Sequence, residues 1–310
     1  AHLLNGGTFR IDQSINNNTG TSVGVLNKGA SAVLSVDGRT FDVNADTSIG
    51  IENDNAAGKV LLNGATFNVN GDQSNGIISK GKISLDSANK DIFYVNGSES
   101  TGIYNDAGAT VSGSNFLFHL GATAHSPAES LSNGIVNKST ATDAVSLSDG
   151  TFTIDLKESN GINNAVVAGG NVKLTRVDFN SNGYRSSGVQ NKGTLETNYG
   201  TFAIRGVESN GINNIAGSTK TETNYTDFTI TNGATESNAI VNHTTVTAKG
   251  GTFTIGAYKS NGIFGVAGTD IKSEGSNFAI NANESNGINN KGSATVTIRK
   301  HPINNTNATF

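Results

Sequence analysis

The sequence predicts an all-β chain, a single-stranded right-handed parallel β-helix of about eleven coils with three short strands each. Three observations carry this reading. A Phe returns along the chain at Phe9, Phe41, Phe67, Phe93, Phe116, Phe152, Phe179, Phe202, Phe228, Phe253 and Phe278. Each Phe is followed by a Ser that opens a Ser-Asn-Gly-Ile-like stretch, read most plainly at Ser209-Asn210-Gly211-Ile212-Asn213-Asn214. Apart from three insertions the Phe-to-Phe step is 23 to 27 residues, and a fixed period of this kind outranks local signals. No stretch keeps a helical period over three turns, because Gly interrupts every candidate. The Leu-x-x-Leu-x-Leu frame of a leucine-rich repeat is missing as well.

The first strand of a coil is Thr-Phe-x-Ile, as in Thr151-Phe152-Thr153-Ile154, with apolar residues two apart as a half-buried strand requires. The second is Gly-Ile-x-Asn, as in Gly161-Ile162-Asn163-Asn164. The third is a looser run such as Val172-Lys173-Leu174 or Val246-Thr247-Ala248. Three such strands and three turns fill about 25 residues, one coil, and equivalent strands then stack in register. Stacking assigns roles to the columns. Phe rings should pile inside at about 4.8 Å, the spacing of strands in a sheet. Asn follows the Ile by two residues at Asn27, Asn53, Asn105, Asn137, Asn164, Asn191, Asn214, Asn242 and Asn290. That column can hydrogen-bond along the axis and satisfy backbone groups at a bend. The motif Gly is replaced only by Ala239, which indicates tight packing rather than a left-handed backbone.

No segment lies outside the period, so residues 1–310 read as one elongated domain. Coil one carries a polar insertion at Asn16-Asn17-Asn18-Thr19-Gly20, a loop by composition. Coil five holds nine residues beyond the usual seven-residue step between Phe116 and Ser132. This insertion, over residues 119–131, contains His119, His125, Pro127 and Glu129, and solenoid insertions become loops on one face, often the binding face. Phe310 reads as the opening of another unit or part of a cap.

Composition narrows the function. Cys is absent, so disulfides and Cys-based zinc sites are excluded. With no Met either, the chain is expected to be an excised part of a longer protein. No apolar run suits a membrane span, so direct insertion is not expected, and the chain is expected to be monomeric. A net charge of −4 with 15% charged residues lacks the basic excess of a nucleic-acid binder.

No phosphate loop, His-Glu-x-x-His or Gly-x-Ser-x-Gly occurs, and the five His are scattered over different coils. Asp143, Asp149 and Asp155 are close in sequence but divided by strand faces and a turn. No catalytic or metal-ligating residue is assigned, and no cofactor is implied. The residue before the motif Ser is acidic at Glu99, Glu158, Glu208, Glu236 and Glu284. Glu208 and Glu236, on adjacent coils, suit a shared calcium only if they face each other; a solvated edge is the plainer reading.

That column changes character at Tyr184-Arg185 and Tyr258-Lys259, three coils apart, which places the two pairs about 14 Å apart on one face. Lys157 and Arg205 sit near this face, and a second column, three residues before the Phe, reads Arg176, Tyr199 and Tyr225. Tyr rings stack on sugar faces, and Arg or Lys pairs with carboxylate or sulfate. Any one of these residues alone reads as an ordinary exposed side chain; their grouping beside the coil-five insertion carries the glycan-binding reading.

The Thr-Phe-x-Ile and Ser-Asn-Gly-Ile-x-Asn coils resemble the β-solenoid binding regions of serine-rich repeat adhesins from gut lactobacilli, a family related in fold to pectate lyases. The resemblance implies an exported module displayed at the bacterial cell surface or cell wall. It also implies binding, favoured at acidic pH, to host epithelium, mucus glycoproteins and acidic polysaccharides such as pectins. The residues offer their own reason for that pH dependence. A chain of pI near 5.7 turns net positive below it, and His119 and His125 are expected to charge first. The leading expectation is therefore a non-enzymatic binding module. A polysaccharide lyase or hydrolase on the same fold is the alternative, and a passive spacer a third that leaves the Tyr and Arg columns without purpose.

Overall fold

A computed structural model describes residues 2–12, 21–29, 31–86, 88–122, 130–166, 169–266, 268–291 and 295–299. These residues form a β-solenoid with every strand pairing parallel. The Asn-Gly-Ile strands make one eleven-stranded sheet, from Val23–Asn27 to Asn286–Asn290. The Thr-Phe-x-Ile strands and the β-branched strands make the other two faces. They count as one sheet because Val145–Ile154 and Asn171–Ser181 run unbroken around the corner between those faces.

The register places like on like. Phe41 pairs with Phe67, Phe179 with Phe202, and Ile212 with Ile240. Inside, the Phe rings stack nearly parallel with centroids 4.5 Å apart at Phe93–Phe118 and 4.9 Å at Phe152–Phe179. That is the strand spacing, so ring thickness and inter-coil distance reinforce each other. Ile and Val of the other two faces close on this stack to make one continuous core.

The expected ladder Phe of coil five is corrected. Phe118, not Phe116, pairs with Phe93 and with Phe152. Both face inward, being two residues apart. Phe116 lies edge-on to Phe118 and Phe152 and fills the space left by Gly150, where an added Cβ would lie 2.2 Å from its ring. Measured from Phe118, the step to Ser132 is 14 residues, so the insertion is seven residues rather than nine. The insertions at 13–20 and 123–129, with His125, Pro127 and Glu129, and the C-terminal 300–310 with Phe310, fall outside the described residues.

The Asn column forms the expected ladder. Asn105 donates to Asn137 at 2.8 Å, Asn137 to Asn164 at 2.8 Å, and Asn164 to Asn191 at 2.8 Å. The same amides reach carbonyls at the bend, as Asn164 does to Gly170 O at 3.0 Å. The motif Ser builds the opposite corner. Ser209 Oγ donates to Gly183 O of the preceding coil at 2.7 Å and accepts from Ser186 N at 3.1 Å. The motif Gly is packed as expected: a Cβ on Gly188 would lie 2.7 Å from Gly211 O and 2.9 Å from the Phe202 ring.

Candidate ligand-binding groove

The corners of the coil decide where the predicted site residues stand. From Thr47 to Glu284 the residue before the motif Ser is left-handed, with φ between 44° at Leu131 and 58° at Glu236, Arg185 and Lys259 included. A non-Gly residue there costs about 1–2 kcal/mol. The conformation is held because it turns the N–H toward the next coil: Arg185 N reaches Val207 O at 3.0 Å, and Glu236 N reaches Tyr258 O at 3.1 Å. A second left-handed column stands at the other end of the Phe strand. It comprises Asn115, Asp149, Arg176, Tyr199 and Tyr225, with Gly at 38, 64, 250 and 275.

The two predicted columns therefore occupy different corners, one at each end of the four-residue Phe strand, about 13 Å or more apart. They do not form one patch. At the first corner Tyr184 and Arg185 stand as expected, with the guanidinium 4.8 Å and Lys157 Nζ 6.0 Å from the Tyr184 ring centroid. Glu208 of the next coil closes this cluster, accepting from Tyr184 OH at 3.1 Å and Arg185 Nε at 2.7 Å. The Arg185 hydrogen bond holds the Glu208 carboxyl below its usual value. Arg205 donates to Asn180 at 3.0 Å and Asn182 at 3.3 Å. At the second corner Arg176 grips Asp149 through two bonds of 2.6 and 2.9 Å, and this pairing lowers the Asp149 pKa. Tyr199 and Tyr225 stack at 5.3 Å, with Tyr199 60% exposed.

The Tyr258–Lys259 pair differs, because it opens on a concavity. Tyr258 OH donates to Glu284 Oε1 at 2.9 Å, and Lys259 Nζ lies 5.1 Å from the Tyr258 ring centroid. From there a groove of about 460 Å³ crosses the Asn face between Glu236, Lys259 and Glu284 at one end and Lys291 at the other. Its floor is a row of amides running coil to coil. Asn261 donates to Asn238 at 2.9 Å, and Asn286 and Asn289 donate to Asn261 at 3.0 and 3.1 Å. Phe264 stands among them with Lys291 Nζ 5.2 Å from its ring centroid. The ammonium groups flank a five-residue strand, Asn261–Gly265, a span of about 16 Å. An aromatic ring, an amide row and a cation at each end can hold a polyhydroxylated, negatively charged chain.

Phe264, Asn261, Asn286 and Asn289 were not singled out from the sequence, which offered Lys291 only as a turn residue in a basic column after the ladder Asn, with Lys28, Lys80, Lys138 and Lys192. One signal was available: Phe264 pairs with Asn289 and stands where other coils carry Asn163 or Asn213. His119 is corrected. It lies in the strand Phe116–Leu120, not in a loop, with Nε2 2.7 Å from Asp155 Oδ2. Among the described residues no three His, Cys, Asp or Glu side chains gather into a metal-binding group. Glu208 is engaged by Arg185 and Tyr184, so the shared-calcium reading finds no support. No described helix is long and apolar enough to cross a membrane. Comparison with family models, curated proteins and solved structures returns no match.

Proposed function

We propose that the chain is a non-enzymatic binding module for acidic polysaccharides of the pectin type, displayed on a bacterial surface and directed at host epithelium or mucus. The observation that supports it is the groove with Lys259 and Lys291 at its ends and Phe264 over a row of Asn amides. Glu236 and Glu284 line it beside the two Lys, so its charges cancel when all are ionised. The preference for acidic pH rests on the whole chain, which with a pI near 5.7 turns net positive below that value.

The test is a polysaccharide array read at about pH 4 and about pH 7, with release of unsaturated or reducing ends followed on the same samples. Retention of polyuronates at the lower pH without product is expected. Product release, or no retained polyanion at either pH, contradicts the proposal.

A further inference from the structure

We infer that the Phe face of coils three to five carries a second ligand site, for an uncharged pyranose. This reading is independent of the anionic groove, which lies on the Asn face toward the other end of the solenoid. Two columns of side chains point outward here. One runs Asp42, Asn68, Tyr94, His119 in register. The other is an amide ladder in which Asn96 donates to Asn70 and Asn70 to Asn44, both at 2.8 Å.

The ladder breaks at Gly121, which follows Leu120 as Asn96 follows Val95 and Asp155 follows Ile154. Gly121 has φ +89°, so the position takes no ordinary side chain. A cavity of about 580 Å³ opens there, lined by Asn68, Asn70, Tyr94, Asn96, His119 and Ala122, within the size range of small-molecule sites. Tyr94 and His119 form an angled wall, with ring centroids 6.3 Å apart and planes at 52°. His119 leans diagonally across the gap to Asp155, 2.7 Å away, which fixes its ring.

The chemistry selects the ligand. Asn68 Nδ2 donates to Asp42 Oδ1 at 2.7 Å and Asn70 Nδ2 to Asn44 Oδ1 at 2.8 Å. This leaves each amide a second N–H and a carbonyl lone pair for a sugar hydroxyl, and Tyr94 supplies a face for a pyranose ring. Among the described residues no Lys or Arg lines the cavity, and Asp155, beside His119, disfavours a carboxylate. A neutral sugar meets no uncompensated charge.

The test titrates the whole chain with methyl glycosides of glucose, galactose, mannose and N-acetylglucosamine, and with glucuronate and galacturonate, followed by side-chain amide NMR shifts. At least one neutral glycoside is expected to bind and shift the Asn68 and Asn70 amides. Tyr94→Thr, which copies Thr153 of the same column, should weaken it about tenfold or more while polyuronate binding is unchanged. Circular dichroism checks that the variant folds. Binding of no neutral glycoside, equal affinity in Tyr94→Thr, or equal affinity for the uronates would overturn the inference.

Discussion

Asp91 offers a quantitative test of the packing. It is fully buried at the inward position before the Phe strand, where the preceding coil has Ala65 and the next Phe116. Oδ1 accepts from Ala65 N at 2.8 Å, and Oδ2 has no partner. Burial pushes its pKa from 3.8 up to about 7, against the smaller opposing pull of the Ala65 backbone hydrogen bond. The folded chain therefore holds a proton that the unfolded chain releases between those values. Stability from this group is fully present below about pH 3.8 and is lost as pH rises through about 7. The slope is about 1.4 kcal/mol per pH unit, and the whole effect about 4 kcal/mol. Asp91→Ala, which copies the buried Ala65, removes the titration. Urea unfolding of both proteins at several pH values from about 4 to 8 should show wild-type stability falling relative to the variant by about 4 kcal/mol. A difference that does not change with pH would refute the buried, poorly solvated carboxyl.

Three further outcomes follow from the corners and the axis. Gly188→Ala should cost only about 1 kcal/mol, since Ala239 occupies the equivalent place, whereas Gly188→Val should cost about 3 kcal/mol or more by driving methyls into Gly211 O and the Phe202 ring; equal melting temperatures would contradict the close approach. Thr47 is an exposed β-branched residue at φ 56°, so Thr47→Gly should stabilise by about 1 kcal/mol, and a loss would show the left-handed corner to be misplaced. The Glu208 carboxyl should titrate below 4.5 by NMR and rise in Arg185→Gln. Its ion pair is thus kept above the ordinary carboxylate range and lost as pH falls through the lowered value.

The periodic columns were legible because a parallel solenoid repeats its environment every coil. Phe, Asn, Ser and Gly each meet the same neighbours in successive turns, and their recurrence reports those neighbours directly. Phe116 misled because Phe116 and Phe118 both face inward, and only the inter-coil register separates them. One left-handed column was readable in Gly38, Gly64, Asn115 and Asp149, residue types that tolerate positive φ. The other, with Thr47, Glu99 and Leu131, carries no such signal, because an inter-coil hydrogen bond rather than residue preference holds it. The groove was half legible. Tyr258 and Lys259 break their column, but their neighbours Phe264 and Lys291 come from other columns, and only the coil geometry brings the four together.

The proposed function turns on whether the two ammonium groups at the ends of the groove hold an acidic chain. The measurement is the affinity of a defined galacturonate oligosaccharide, at acidic pH, for the wild type and for the double variant Lys259→Gln, Lys291→Gln. A loss of about tenfold or more, with the fold intact, is the result expected. Unchanged affinity in the double variant would contradict the assignment of the groove.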